Sequence, residues 1–150
     1  MTNRLLQLLI LVNGLIWLRS SYGKVTGGTF VGTLGETLGK FASKNPYPPV
    51  KDFLQNTAIP NSQMFGLLTM WGELLSALVI TGGIIYLLAS PKGNKMVSSL
   101  VALGLIGGMF LNVIFWFAAG WTSPSTDSLN LLMFVMQFLG LVWVMQGQKA

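Results

Sequence analysis

The chain has 150 residues, of which 52% are hydrophobic and only 9% charged, with a formal net charge of +5. A soluble domain carries about 25% charged residues, so this composition points to an integral membrane protein. Cysteine and histidine are absent, which excludes disulfides, thiolate nucleophiles, iron–sulfur ligation, imidazole acid–base catalysis and the usual haem ligand.

The first apolar run, Leu5–Leu18, contains Gln7 and Asn13 and is too short to cross a bilayer alone. Starting it at Arg4 and continuing past Arg19 to Gly23 gives a first span over residues 4–23. Arg4 before an apolar core also suits a signal peptide, but Arg19-Ser20-Ser21-Tyr22 lacks a small-x-small cleavage pattern. A retained helix is expected.

Residues 24–60 differ in character. Phe30, Val31, Leu34, Leu38 and Phe41 recur at helical spacing, with Thr33, Glu36, Thr37 and Lys40 between them. This predicts an amphipathic helix on the membrane interface. Asn45-Pro46-Tyr47-Pro48-Pro49 then imposes an extended turn, because proline fixes φ and lacks an N–H. Val50–Thr57 suits a short helix before Pro60, and Asn61 or Ser62 is placed to cap the long second span.

That second span, 64–89, is about 39 Å of helix at about 1.5 Å per residue, ample for a core of about 30 Å. The basic turn Ser90–Lys95 leads to a third span over 96–121. The polar loop Thr122–Asp127 leads to a fourth over 129–145. The expected fold is an all-α membrane four-helix bundle with an interfacial segment between its first two spans. Lys92 and Lys95, with Arg4 and Lys149 on the same side, favour cytoplasmic termini; the basic residues of the long first loop vote the other way.

Glu73 is the only acidic residue within the long apolar runs. A carboxylate at bilayer depth is costly without a partner and marks a functional-site candidate. Arg19, Tyr22 and Lys24, at the end of the first span, are within reach across the bundle. Their plain role is an ion pair that sets helix register, or snorkelling to the interface. The sharper role is a polar pocket that exchanges a proton beside a lipid-soluble ligand. Gly104, Gly108 and Asn112 recur every four residues on the third span, a stripe that lets helices approach closely. Asn130 and Gln137 share a face of the fourth, and helix-packing hydrogen bonds are the ordinary reading of all these amides. Trp17, Tyr22, Trp71, Trp116 and Trp121 suit an aromatic belt, or a stacking surface for a quinone or pigment. The methionines suit adaptable packing better than haem ligation.

No residue is assigned a catalytic role. The four scattered carboxylates make a protein-ligated metal unexpected. The basic residues flank apolar runs instead of forming a stripe, so lipid head groups or other membrane subunits are the expected partners and nucleic acid is not.

Several segments resemble the DoxX-like membrane proteins, in particular the DoxD-type small subunit associated with thiosulfate:quinone oxidoreductase. They are Leu18-Arg19-Ser20-Ser21-Tyr22-Gly23-Lys24, Asn45-Pro46, Lys51-Asp52-Phe53-Leu54, Ile59-Pro60-Asn61, Gly72-Glu73-Leu74-Leu75 and Gly82-Gly83. The resemblance is good across residues 18–90 and weaker but collinear to about residue 140. It implies a four-helix subunit paired with a redox partner and linked to the quinone pool, with Arg19, Lys24 and Glu73 as polar core positions. It transfers fold better than reaction.

The leading expectation is therefore a quinone-contacting subunit of a redox complex in a bacterial-type inner membrane or thylakoid. The alternative is a non-catalytic accessory subunit of a respiratory or photosynthetic complex that contacts lipid or pigment. A transporter is disfavoured by the single ionisable position and the lack of an inverted repeat.

Overall fold

The structure, a computed structural model, describes residues 2–90 and 94–147. It is all-helical among these residues. Helix α1 runs Thr2–Gly27, α2 Phe30–Ser43, α3 Pro48–Phe53 with a π-helical turn at Leu54–Ala58, α4 Ser62–Ala89, α5 Lys95–Ala119 and α6 Pro124–Gly147. Four helices (α1, α4, α5 and α6) are long and apolar enough to cross a membrane. This is an integral membrane four-helix bundle. The neighbours are α1 with α4, α4 with α5, α5 with α6 and α6 with α1, which closes a ring.

Close approach at glycines sets the helix spacing. Space for a Cβ is lacking at Gly14, where it would meet Thr81 Oγ1 at 2.6 Å, and is tight at Gly104, where it would meet Ile80 and Val79 at 3.1 and 3.2 Å. Backbones brought this near gain dispersion contacts, the main driving term between helices in lipid. Around these contacts lies a core of Ile10, Trp17, Ile80, Ile84, Val101 and Leu105.

The interfacial segment is more structured than a loop. Gly28 takes φ +67°, a conformation that side-chain-bearing residues rarely adopt, and there the chain turns from α1 into α2. The predicted amphipathic face of α2 buries Leu34, Leu38 and Ala42 against Leu54 and Ala58. Each of the buried leucines is worth about 1.5–3 kcal/mol relative to exposure. The first turns of α4 complete this second core: a Cβ at Gly66 would meet Val31 Cα at 3.1 Å, and Phe65 meets Phe53 edge to face at 5.8 Å.

Two boundaries differ from expectation by a helical turn or more, and one cap differs as well. The first span does not stop at Gly23 but continues to Gly27, which places Lys24 inside the helix. The fourth helix begins at Pro124, because Ser123 Oγ accepts from Thr126 N at 3.1 Å and proline suits a first helical position. Asn61 does not cap α4; its amide donates backward to Thr57 O at 2.9 Å. Asn94 does cap its helix: its side chain accepts from Met96 N and Val97 N at the start of α5. The middle of the basic turn, residues 91–93, lies outside the described residues, as does Lys149.

Candidate functional site

Asn13, Trp17, Ser20 and Lys24 are three or four residues apart, so they share one face of α1. The helix turns that face inward. Lys24 Nζ donates to Glu73 Oε1 and Oε2 at 2.5 and 2.6 Å and to Ser20 Oγ at 3.0 Å. Ser20 Oγ in turn donates to Glu73 Oε2 at 3.0 Å. The triangle is closed. Glu73 is 0% exposed and the Lys24 side chain 22%, and Ser20 is half-buried, so the carboxylate is the enclosed member of the three. The ammonium also lies 5.2 Å from the Phe30 ring centroid and 5.9 Å from that of Phe115, whose π faces add attraction for a cation.

Of the three candidate partners for Glu73, only Lys24 meets it. Arg19 and Tyr22 are exposed on the outer face of α1. The difference is angular: Lys24 comes four residues after Ser20 and falls on the same stripe, whereas Arg19 and Tyr22 are rotated away by the helix pitch. Among the described residues Glu73–Lys24 is the only ion pair between spans; the other pair, Glu36–Lys40, is exposed and lies within α2. There the Lys40 ammonium holds the Glu36 carboxyl below its ordinary value.

One level deeper lies an amide relay. Asn112 Nδ2 donates to Gln137 Oε1 at 2.8 Å, Gln137 Nε2 to Asn13 Oδ1 at 3.0 Å, and Asn13 Nδ2 to Met133 O at 3.2 Å. It links α5, α6 and α1 in an interior where an unmade hydrogen bond is costly. Gly108 makes room for it: a Cβ there would meet Gln137 Nε2 at 2.5 Å and Trp17 Nε1 at 3.1 Å. Asn130 takes no part, because its amide donates to Thr126 O one turn back on α6. It lines a small groove of about 110 Å³ between α5 and α6 with Asn112, Trp116 and Phe134.

Trp17 corrects the aromatic-belt expectation. It is 3% exposed and packs against Phe115 at 6.1 Å, whereas Tyr22 and Trp71 are exposed. Its Nε1 is buried and has no hydrogen-bond partner among the described residues; Thr81 Oγ1 is in the same position. The ammonium of Lys24 has all three N–H groups engaged, and Trp17 Nε1, which lies against Gly108 next to the Gln137 amide, is a spare buried donor. Residue type and a place near an expected helix end pointed Trp17 to the belt, and Asn45 was read as a turn residue in a segment that carries the resemblance. The buried Asn45 amide donates to Phe117 O and Ala118 O at 3.1 and 3.2 Å, satisfying carbonyls at the C-terminus of α5. The Asn45-Pro46 turn was visible, but the carbonyls that it serves are more than 70 residues away.

Among the described residues no group of three or more carboxylates could hold a metal ion. Comparisons with protein-family models, with curated proteins and with solved structures found no match to the chain.

Proposed function

We propose that this chain is a small DoxX-like, DoxD-type membrane subunit of a redox complex, contacting the quinone pool at the Lys24–Glu73 pair. The observation that carries the reading is the Lys24–Ser20–Glu73 triangle within the spans, whose carboxylate is fully buried. Ionisable groups at bilayer depth are rare and usually functional. The resemblance of residues 18–90 to that family supports the same reading.

The surrounding residues suit a quinone head group chemically. Phe30 and Phe115 offer ring faces and Trp17 Nε1 offers a buried donor without an acceptor. A bound quinone would supply two-electron, two-proton carrier chemistry. Trp17 would donate to a carbonyl oxygen, and Glu73, held by Lys24 and Ser20, would accept or return a proton. Cytoplasmic termini would put this end of the bundle on the opposite side of the membrane, a topology supported by Arg4, Lys92, Lys95 and Lys149.

The test is quinone extracted from protein purified in mild detergent. Wild type should carry quinone in fixed proportion, and Glu73→Gln should lose most of it at unchanged helical content. A helical wild-type bundle without quinone, or a Glu73→Gln variant that retains it, overturns the reading.

The second reading, a non-catalytic accessory subunit of a respiratory or photosynthetic complex, is favoured by the saturation of Lys24. With every N–H engaged inside the bundle, the pair would fix helix register. Fixed-stoichiometry co-purification with a large complex, without quinone on this chain, would support it.

A further inference from the structure

Among the described residues, Arg19 is a cation with no counter-charge. It is exposed on the outer face of α1, and among the described residues it makes no hydrogen bond or ion pair. Contacts across the bundle give its depth. Gly14 faces Thr81 and Ile80, and Ser20 bonds Glu73, so Arg19 is level with roughly residue 75 of α4, near the midpoint of that helix. Gly107, at the midpoint of α5, faces Ser76 at the same level. Helix α1 ends at Gly27, eight residues beyond Arg19, where the chain turns into the interfacial α2, so the Arg19 Cα lies roughly 12 Å inside the nearer boundary at about 1.5 Å per residue. An extended arginine side chain reaches on the order of 7 Å, so snorkelling leaves the guanidinium on the order of 5 Å inside that boundary.

A second copy of the chain offers no suitable acid. The carboxylates are Glu36, Asp52, Glu73 and Asp127. Glu73 is fully buried and paired; Glu36 and Asp52 sit in the interfacial segment, and Asp127 in the first turn of α6 accepts from Trp116 Nε1. None is both exposed and at the level of Arg19. Around it, the exposed residues Leu8, Val12, Leu15 and Tyr22 alternate with Arg19 at intervals of three and four, the spacing of a helix–helix seam.

We propose that the outer face of α1 from Leu8 to Tyr22 docks a transmembrane helix of another protein, carrying an aspartate or glutamate near mid-span that pairs with Arg19. This rests on the subunit reading for the existence of a partner, and on the unpaired charge for its chemistry. The pair forms in a low dielectric with both ions desolvated. Losing one partner strands the other, so Arg19 sets the stability of the contact more than the apolar residues beside it.

The experiment uses the full chain in its native membranes with a photoreactive phenylalanine at Leu15 or Tyr22. A control carries it at Leu103 on the outer face of α5, which is 65% exposed. The expected adduct from Leu15 and Tyr22, and not from Leu103, contains a transmembrane peptide with an acidic residue at mid-span. Arg19→Leu lowers its yield by about tenfold or more. Arg19→Glu loses it and regains it when the partner's acid is exchanged for arginine. The isolated Arg19→Leu bundle unfolds no earlier than wild type, which separates docking from folding. A partner peptide without an acid, adducts to lipid or to a second copy alone, or an unchanged yield in Arg19→Leu overturns the proposal. A partner lacking an acid leaves the subunit reading standing, whereas no protein adduct at any position removes both.

Discussion

Replacing Lys24 by methionine removes one charge of the pair that joins α1 to α4 while keeping most of the apolar stem. Nζ bridges both Glu73 oxygens at 2.5 and 2.6 Å, and the carboxylate is 0% exposed. Charges about 3.5 Å apart attract by roughly 5 kcal/mol at an effective dielectric of about 20. Desolvation offsets much of that gain. The single substitution therefore reports chiefly the stranded carboxylate, a cost of about 3–5 kcal/mol. Replacing both partners, Lys24→Met with Glu73→Leu, removes the stranded charge and should return stability to within about 1 kcal/mol of wild type, or above it. Unfolding of the four proteins in mixed micelles titrated with a denaturing detergent, monitored by tryptophan fluorescence, completes a double-mutant cycle. A coupling of about 2 kcal/mol or more is expected; single effects that add to within about 0.5 kcal/mol refute the buried pair. Arg19→Leu in the same assay should cost nothing, and a loss equal to that of Lys24→Met would reassign the counter-ion.

Gly108→Ala should destabilise the bundle by about 1–3 kcal/mol, because its methyl meets Gln137 Nε2 and Trp17 Nε1. Gly82→Ala, where nothing lies within 4 Å, should be neutral or stabilising by up to about 1 kcal/mol; equal losses at both positions would contradict the packing. Gln137→Leu breaks two bonds of the amide relay and should cost about 1–2 kcal/mol in micelle unfolding. Asn45→Ala should leave the four spans intact but accelerate hydrogen exchange at the end of α5 and in α3, since it removes the amide bonded to Phe117 O and Ala118 O. Lys40→Ala should return the Glu36 carboxyl toward its ordinary value in an NMR titration. Because the folded value is depressed, the contribution of this pair is present above the ordinary carboxylate value and fades as pH falls through the folded one.

Fold class was legible in the residues because membrane spanning is a property of composition and length. Long apolar runs, two short polar connections and the two-sided pattern at 30–41 required α4, α5, α6 and the interfacial α2 wherever they packed. The stripe Gly104, Gly108 and Asn112 was also legible, since spacing along a helix fixes what shares a face. The exposed Glu36–Lys40 pair obeys the same local rule.

The partners across the bundle were not legible. Glu73 stood out as an anomaly in an apolar run, but Arg19, Tyr22 and Lys24 were equal candidates until the continuation of α1 to Gly27 and its rotation were known. About 100° per residue then separates the inward Lys24 from the outward Arg19. Trp17 was assigned to a belt by type, and its burial against Phe115 comes from the ring of four helices closing over it. By itself the sequence determined that this chain is a helical membrane bundle with one acidic group at depth, because hydropathy and periodicity are local quantities. Only the tertiary structure decided that Lys24 answers Glu73 and that Arg19 is left facing outward, because helix phase and depth are settled by packing between distant segments.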